Sequence, residues 1–177
     1  MAEHILMTER DIDRSLDRIS LEIVERNHGI EQLALVGIHT GGAFLAQRIH
    51  NRIVEHEQVA LPTGSLDITL YRDDWSLVSQ NPIVKKSAID FPLEDCNVVL
   101  VDDVIFTGRT IRAAMDAIMD YGRPKSIQLA VLVDRGGREL PVQPDFVGTR
   151  INVADQERVD VLLMENSQCN QVILSLR

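Results

Sequence analysis

The sequence contains few cysteines and few aromatic residues. Its two cysteines, Cys96 and Cys169, lie far apart and form no CxxC motif or His/Cys cluster, so neither a disulfide framework nor a structural zinc site is indicated. Aromatic residues make up 4% of the chain, which leaves the core to Leu, Ile and Val. With 45% apolar residues among 177, the chain is long enough for one core, and we expect a single domain over residues 1–177.

Basic residues are also scarce, since 18 Lys and Arg face 27 Asp and Glu and give a formal charge of -9. This sign opposes sequence-independent binding of nucleic acid through its phosphates, although a local basic patch is compatible with it. No apolar run approaches the ~20 residues that span a bilayer, and the first residues lack the basic and apolar regions of a secretory signal. We therefore expect a cytoplasmic protein.

The apolar spacing alternates between strand and helix periods along the chain. Thr8 and Asp11 have the spacing of a capping box before an amphipathic helix. Short apolar runs predict buried strands at residues 33–38, 98–101 and 127–133, with later strands at 159–163 and 171–176. Segments of helical period follow the first two of these runs. Residues 66–74 alternate like a half-exposed strand, and the polar segment 73–87 predicts a mobile loop or hairpin.

Buried strands that alternate with amphipathic helices predict an α/β fold with a parallel sheet covered on both faces. Ligands of such sheets bind outside the carboxyl ends of the strands. The loops at residues 39–42, 102–110 and 134–137 are therefore the candidate site.

The segment DDVIFTGRT, residues 102–110, combines two kinds of chemistry. A helix that begins near Thr107, Gly108 and Thr110 offers backbone N–H groups and hydroxyls to a phosphate. The two carboxylates just upstream suit the hydroxyls of a sugar, so a sugar phosphate fits both halves. The stretch lacks the GxxxxGK[ST] and GxGxxG patterns of nucleotide sites. Solvated acids beside an ordinary helix cap, or a receiver domain with paired acids that bind Mg²⁺, are the alternatives.

The residues VVLVDDVIFTGRT resemble the phosphoribosyl-pyrophosphate fingerprint of type I phosphoribosyltransferases. DITLYRDD, GRPKSIQLAVLVDRGGRELP and ERNHGI extend the resemblance over nearly the whole chain to the pyrimidine-operon attenuation regulators that are also uracil phosphoribosyltransferases. The resemblance implies a central parallel sheet flanked by helices, a small hood and a flexible β-hairpin loop. A purine-specific relative is the nearest competitor, and DITLYRDD with DRGGRELP favours the pyrimidine type.

The family reaction that this implies joins ribose 5-phosphate to N1 of uracil and releases pyrophosphate. By resemblance, Asp102 and Asp103 bind the ribose hydroxyls, and Arg72 and Lys85 supply cations for the leaving group. Mg²⁺ is expected mainly through substrate and water. The remaining substrate-binding residues implied are Thr40, Gly41 and Gly42 for pyrophosphate, Thr107, Gly108, Arg109 and Thr110 for the 5-phosphate, Val104, Ile105 and Phe106 in the same segment, and Asp134, Arg135 and Val159 for the base.

Some of these residues have structural alternatives. Many relatives have Arg where this chain has Gly41, which removes a cation from the loop at residues 39–42. The alternative for both Arg72 and Lys85 is a solvated charge on a loop. Asp134 could belong to a structural ion pair.

A UMP-sensing regulator that binds leader RNA is the alternative function. Family resemblance places the RNA surface on the first helix and after RELP. Departures from the family cluster there, at Asp17, Leu21, Gly137, Gln143 and Thr149, whereas Arg18, Arg26 and Arg138 remain. This surface therefore offers fewer hydrogen-bond donors to the phosphates and bases of RNA than the family pattern does, and we expect catalysis rather than RNA binding as the main function. The resemblance also implies a homodimer or higher homo-oligomer.

Overall fold

The computed structural model describes residues 4–74, 84–154 and 156–176. The helices are α1 (Glu9–Arg26), α2 (Gly41–Glu57) and α3 (Arg109–Met119), and a short 3₁₀ helix covers Thr69–Tyr71. The strands are β1 (His4–Met7), β2 (Leu33–Ile38), β3 (Thr63–Leu66), β4 (Asn97–Ile105), β5 (Ser126–Asp134), β6 (Phe146–Arg150), β7 (Glu157–Leu162) and β8 (Gln171–Leu176). Much of the predicted hairpin, residues 75–83, lies outside the described residues.

Five parallel strands form the central sheet in the order β3-β2-β4-β5-β6. A hydrophobic core lies on each face of this sheet. Successive residues of β4 contribute to the two cores in turn, because side chains along a strand point alternately to the two faces. Val99 and Val101 pack with α1 and α2, whereas Val98 and Leu100 pack with α3. The predicted parallel sheet with helices on both faces is therefore confirmed.

Three further strands, in the order β1-β8-β7, form a small antiparallel sheet. Val159 of β7 and Val172 of β8 are buried in the same core as α1 and α2, so this hood sheet packs on that side of the central sheet. The sequence pattern predicted β7 and β8. It missed the four-residue β1 and the five-residue β6, which are too short for a period to stand out.

The predicted strand over residues 66–74 is wrong. Strand β3 ends at Leu66, and the chain then turns into the 3₁₀ helix at Thr69–Tyr71. The Asp67 carboxylate accepts hydrogen bonds from the backbone N–H of Thr69 at 2.9 Å and from its hydroxyl at 2.6 Å. An aspartate that bonds the backbone two residues later forms a turn, which overrides the alternation of apolar and polar residues.

The helix boundaries follow local signals in the sequence. The capping box is confirmed, with Thr8 N–H donating to Asp11 Oδ2 at 2.9 Å and Asp11 N–H to Thr8 Oγ1 at 3.4 Å.

Strand β4 continues beyond its apolar residues, so Asp102 and Asp103 belong to the last part of this strand rather than to the loop after it. None of the described helices is long and apolar enough to cross a membrane.

Candidate active site

Three chain segments meet at the carboxyl ends of the parallel strands. These are the glycine loop (residues 39–42) between β2 and α2, the end of β4 with the phosphate loop (residues 106–110) at the start of α3, and residues 134–138 after β5. The register places Gly37 opposite Val101 and Ile105 opposite Asp134, so all three segments lie at one edge of the sheet. The sequence predicted this convergence.

The glycine loop lies directly against the two acidic residues of β4. A Cβ atom on Gly41 would stand 2.1 Å from Asp103 Oδ2, and one on Gly42 would stand 2.2 Å from the carbonyl oxygen of Val101. Any side chain at Gly41 would therefore displace the Asp103 carboxyl group. Gly41 therefore has a steric role at Asp103, because a residue without a side chain leaves room for this carboxyl group.

Asp102 and Asp103, called the acidic pair below, are crowded and shielded from water. Asp103 N–H donates to Asp102 Oδ1 at 3.0 Å, and Val104 N–H donates to Asp103 Oδ1 at 2.7 Å. Burial raises the pKa of Asp102 well above its ordinary value, and the neighbouring charge of Asp103 adds to this. Burial also raises the pKa of Asp103, with a further contribution from Asp160 of β7. Such a pair favours a ligand that brings hydroxyl donors or positive charge.

The phosphate loop borders a cleft of about 250 Å³. Gly108 adopts φ +92°, a conformation that favours glycine, and its carbonyl accepts the first bond of α3, from Arg112 N–H at 3.0 Å. Helix α3 thus begins at the cleft, where Arg109 N–H donates to the Thr107 hydroxyl at 3.3 Å and the positive end of the helix dipole favours an anion. The cleft is lined by Arg72, Asp73, Asp74, Val104, Ile105, Phe106, Thr107, Gly108, Arg109, Thr110 and Ile111.

The two arginines at this cleft are held by acidic neighbours. Arg72 makes a bidentate pair with Asp74, with both distances 2.8 Å, and this hydrogen bonding raises its pKa. Arg109 donates to Asp73 and Glu139, each at 2.6 Å. Arg72 also lines the cleft beside the phosphate loop, and the leaving-group role that the resemblance implies for it stays a prediction.

Lys85 is brought to the glycine loop, where its ammonium donates to the hydroxyl of Thr40. Its backbone N–H donates to the Asp67 carboxylate. The peptide bond between His39 and Thr40 is cis. The structure thus brings a cation to a loop that carries no lysine or arginine of its own.

Residues 134–138 form a clamp around the phosphate loop. The guanidinium of Arg135 lies 3.9 Å from the ring centre of Phe106, and Arg138 donates to the carbonyl of Phe106 at 2.9 Å. Arg138 also pairs with Asp134 at 2.7 Å. Asp134 therefore takes part in the structural ion pair that the sequence left open. Val159 is buried in the hood sheet, at 8% exposure.

Three functional candidates do not follow from the sequence patterns. Asp67 and Asp160 stand in no pattern that predicts a role, and the family resemblance places Arg138 on an RNA surface instead. Asp67 lies inside the DITLYRDD motif, so this motif is the feature of the sequence that could have indicated it.

Among the described residues, no group of three or more His, Cys, Asp or Glu side chains could hold a metal ion.

Comparison with known proteins decides the family. The phosphoribosyl transferase domain family matches residues 7–163. The chain belongs to this family. It is 55% identical over 170 residues to the "Bifunctional protein PyrR" of Thermoanaerobacter sp. (strain X514), covering 96% of each chain. It is 50% identical over 170 residues to the protein of that name from Syntrophobacter fumaroxidans, covering 96% of this chain and 91% of the relative.

Solved structures agree on the fold. The hypoxanthine phosphoribosyltransferase of Trypanosoma cruzi superposes with a TM-score of 0.73 at 19% identity, covering 99% of this chain and 97% of that one. A Staphylococcus aureus hypoxanthine phosphoribosyltransferase gives 0.68 at 20% identity, covering 98% and 92%. The type I phosphoribosyltransferase fold, the enzyme class and the PyrR branch expected from the motifs are confirmed.

Proposed function

We propose that this protein transfers ribose 5-phosphate from phosphoribosyl pyrophosphate to N1 of uracil, giving UMP and pyrophosphate. The observation that carries the proposal is the acidic pair, which lies between a glycine loop at the start of α2 and a phosphate loop at the start of α3. One substrate bears a phosphate, ribose hydroxyls and a pyrophosphate in this spatial order. We take residues 1–177 to act as a single domain.

The 5-phosphate would bind at the N-terminus of α3. Backbone N–H groups there, the hydroxyls of Thr107 and Thr110 and the positive end of the helix dipole all favour an anion. Gly108 allows the backbone to come close to the phosphate oxygens. Ile105 and Phe106 hold the loop in place through the clamp of residues 134–138.

The acidic pair would act on the ribose. Its carboxylates would accept hydrogen bonds from ribose hydroxyls, and Asp103 would face the ribose carbon on which positive charge develops as the bond from this carbon to the pyrophosphate oxygen breaks. Charge that is fixed in place before the reaction stabilises such a transition state without reorganisation. The base pocket would lie toward residues 134–135 and the hood strand that carries Val159. The proton that N1 of uracil loses as the new bond forms would pass to the departing pyrophosphate.

Pyrophosphate would leave along the glycine loop. Backbone N–H groups at Gly41 and Gly42, the Thr40 hydroxyl and the Lys85 ammonium are the groups that this chain offers there. The family implies Mg²⁺, which when bound offsets the negative charge of the pyrophosphate oxygens. The acidic pair would hold such an ion only together with substrate oxygens and water, because Mg²⁺ takes oxygen ligands, keeps several of its waters, and the described residues offer no group of three or more metal-binding side chains.

A base-specificity assay tests the proposal. Enzyme, phosphoribosyl pyrophosphate and Mg²⁺ are mixed with uracil, orotate, hypoxanthine or guanine, and nucleotide and pyrophosphate are measured. We expect UMP and pyrophosphate in equal amounts from uracil, and far slower turnover with the other bases. Faster turnover with a purine would place the chain with the purine-specific relatives. No turnover with any base would contradict the enzymatic function.

RNA binding is a second candidate, because the relatives at 50–55% identity carry the name "Bifunctional protein PyrR". The arginines that remain on the family's RNA surface are engaged within this chain. Arg18 donates to the carbonyls of Val147 and Gly148 at 3.0 and 2.7 Å. Arg26 pairs with Asp145 at 2.9 Å.

The neighbouring acid Asp17 pairs with Arg52 at 2.7 Å and keeps that cation on α2. Each phosphate contact contributes through counterion release, so cations already paired with carboxylates contribute less. We therefore propose that leader-RNA binding is weak or absent in this chain while uracil transfer persists.

The RNA proposal is tested with a hairpin from the pyrimidine operon of the source organism, at physiological salt and with or without UMP. We expect the affinity to equal that for a scrambled hairpin. Submicromolar binding that UMP strengthens and the scrambled RNA lacks would overturn this expectation and establish the bifunctional role.

A further inference from the structure

Asp67 lies where two parts of the chain are joined at the end of β3. One carboxylate oxygen accepts from Thr69, at 2.9 Å from its N–H and 2.6 Å from its hydroxyl. The other oxygen accepts from the backbone N–H of Lys85. The backbone N–H of Asp67 itself donates to the Ser87 hydroxyl at 2.8 Å. Asp67 therefore attaches residues 85–87 to the turn after β3.

This attachment continues along the backbone. Ser65 N–H donates to the Ala88 carbonyl at 2.9 Å, and Ala88 N–H returns a bond to Ser65 at 2.8 Å. Residues 85–88 thus run antiparallel to the end of β3. Two hydrogen bonds between Ser65 and Ala88 hold one end of this short segment, and the bond from Lys85 N–H to the Asp67 carboxylate holds the other end.

The same arrangement aims the Lys85 side chain. Its ammonium reaches the hydroxyl of Thr40, and the loop around Thr40 contains no lysine or arginine. The loop is itself tied to β3, because His39 N–H donates to the Leu66 carbonyl at 2.9 Å. Asp67 is thus the side chain that links the backbone carrying this cation to the strand end beside the glycine loop.

The charge state of Asp67 matches this role. Burial would raise its pKa, but the hydrogen bonds from Thr69 and Lys85, helped by the nearby His39, hold the pKa below the ordinary value. An ionised carboxylate only accepts hydrogen bonds, and both of its oxygens face donors here.

We propose that Asp67 is a positioning residue for the leaving group, which holds the Lys85 backbone so that the ammonium stands at Thr40, where pyrophosphate charge accumulates. The inference rests on the proposed function of the site. Asp67 acts in this arrangement through Lys85 and Thr40, so its effect should be confined to ligands that carry a pyrophosphate.

The test compares two ligands that differ only by pyrophosphate. Phosphoribosyl pyrophosphate and ribose 5-phosphate are titrated calorimetrically, with Mg²⁺, into the wild-type protein and into Asp67→Asn. Asparagine has the same shape but only one oxygen, which stays with the two donors of Thr69, so its NH₂ group faces the Lys85 N–H and that donor loses its acceptor. We expect the Kd of phosphoribosyl pyrophosphate to rise about tenfold, the loss of one hydrogen bond to a charged group. The Kd of ribose 5-phosphate should not change.

Two further variants assign the effect to Lys85. Thr69→Val removes one hydroxyl from the same carboxylate but leaves the backbone donors, so it should change the Kd of phosphoribosyl pyrophosphate by less than about twofold. Lys85→Met should reproduce the loss seen in Asp67→Asn, and the double variant should lose no more than either single change, because both act through one ammonium.

The outcomes separate this inference from the proposed function. Equal weakening of both ligands in Asp67→Asn, or additive losses in the double variant, would show that Asp67 supports the fold in general or acts elsewhere. An unchanged Kd in Asp67→Asn, with normal binding by the wild type, would overturn the positioning role alone. A wild-type protein that binds neither ligand would overturn the proposed function, and this role with it.

Discussion

The Asp103→Asn variant is expected to lower kcat/KM for uracil transfer by about ten- to a thousandfold. The change removes a negative charge from beside the carbon that becomes positive, while the asparagine oxygen can still accept the 2.7 Å hydrogen bond from Val104 N–H. The loss should therefore fall mainly on kcat rather than on the affinity for UMP. Steady-state kinetics with an UMP titration measures both quantities.

An exposed aspartate on α3 provides the matched control. Asp116 pairs with Arg112 at 2.8 Å, and both side chains are about half exposed, so Asp116→Asn should leave kcat/KM unchanged. If Asp103→Asn had wild-type kinetics and an unchanged unfolding midpoint, the proposed role of the acidic pair in the reaction would be wrong.

The pH dependence of kcat/KM gives a second measure of the same charge. Burial raises the pKa of Asp103, so its carboxyl group keeps its proton to a higher pH than an ordinary aspartate does. Activity that needs the ionised form should fall as the pH drops through this raised value. This fall in activity reports the titration of both carboxyl groups together, because the charges of Asp102 and Asp103 influence each other. Asp103→Asn should remove or displace this acidic limb.

Much of the fold and the position of the site could be predicted from the sequence. The apolar runs of β2, β4 and β5 are long and uninterrupted, and the carboxyl ends of parallel strands must meet at one edge. This reasoning placed the glycine loop, the acidic pair and the phosphate loop together. The 3₁₀ helix was missed because the Asp67 turn imitates the alternation of a strand.

The partners of individual side chains could not be predicted. Arg72 and Lys85 stand in one polar stretch of the sequence, yet the structure places the first beside the phosphate loop and the second at Thr40. Contact between Gly41 and Asp103 depends on the packing of α2 against β4, which spacing along the chain does not reveal. Long-range partners of this kind follow from the assembled sheet alone.

The Arg138→Met variant is expected to destabilise the protein by about 3–5 kcal/mol. Arg138 is largely buried and makes three polar contacts, at 2.9 Å to the Val142 carbonyl, 2.9 Å to the Phe106 carbonyl and 2.7 Å to Asp134. Methionine fills similar space but leaves the buried Asp134 carboxylate without its cation. The free energy of unfolding is measured by urea titration.

Arg112→Met, which breaks the exposed pair with Asp116, is the control and should cost less than about 1 kcal/mol. Adding Asp134→Asn to Arg138→Met removes the orphaned charge, so the double variant should be more stable than Arg138→Met alone. A loss as small as that of Arg112→Met would contradict the clamp. The Arg138 guanidinium lies inside this clamp and holds the phosphate loop. The folded Arg138→Met protein should therefore also bind UMP more weakly than the wild type does. An arginine that served only to bind RNA would not change the affinity for UMP.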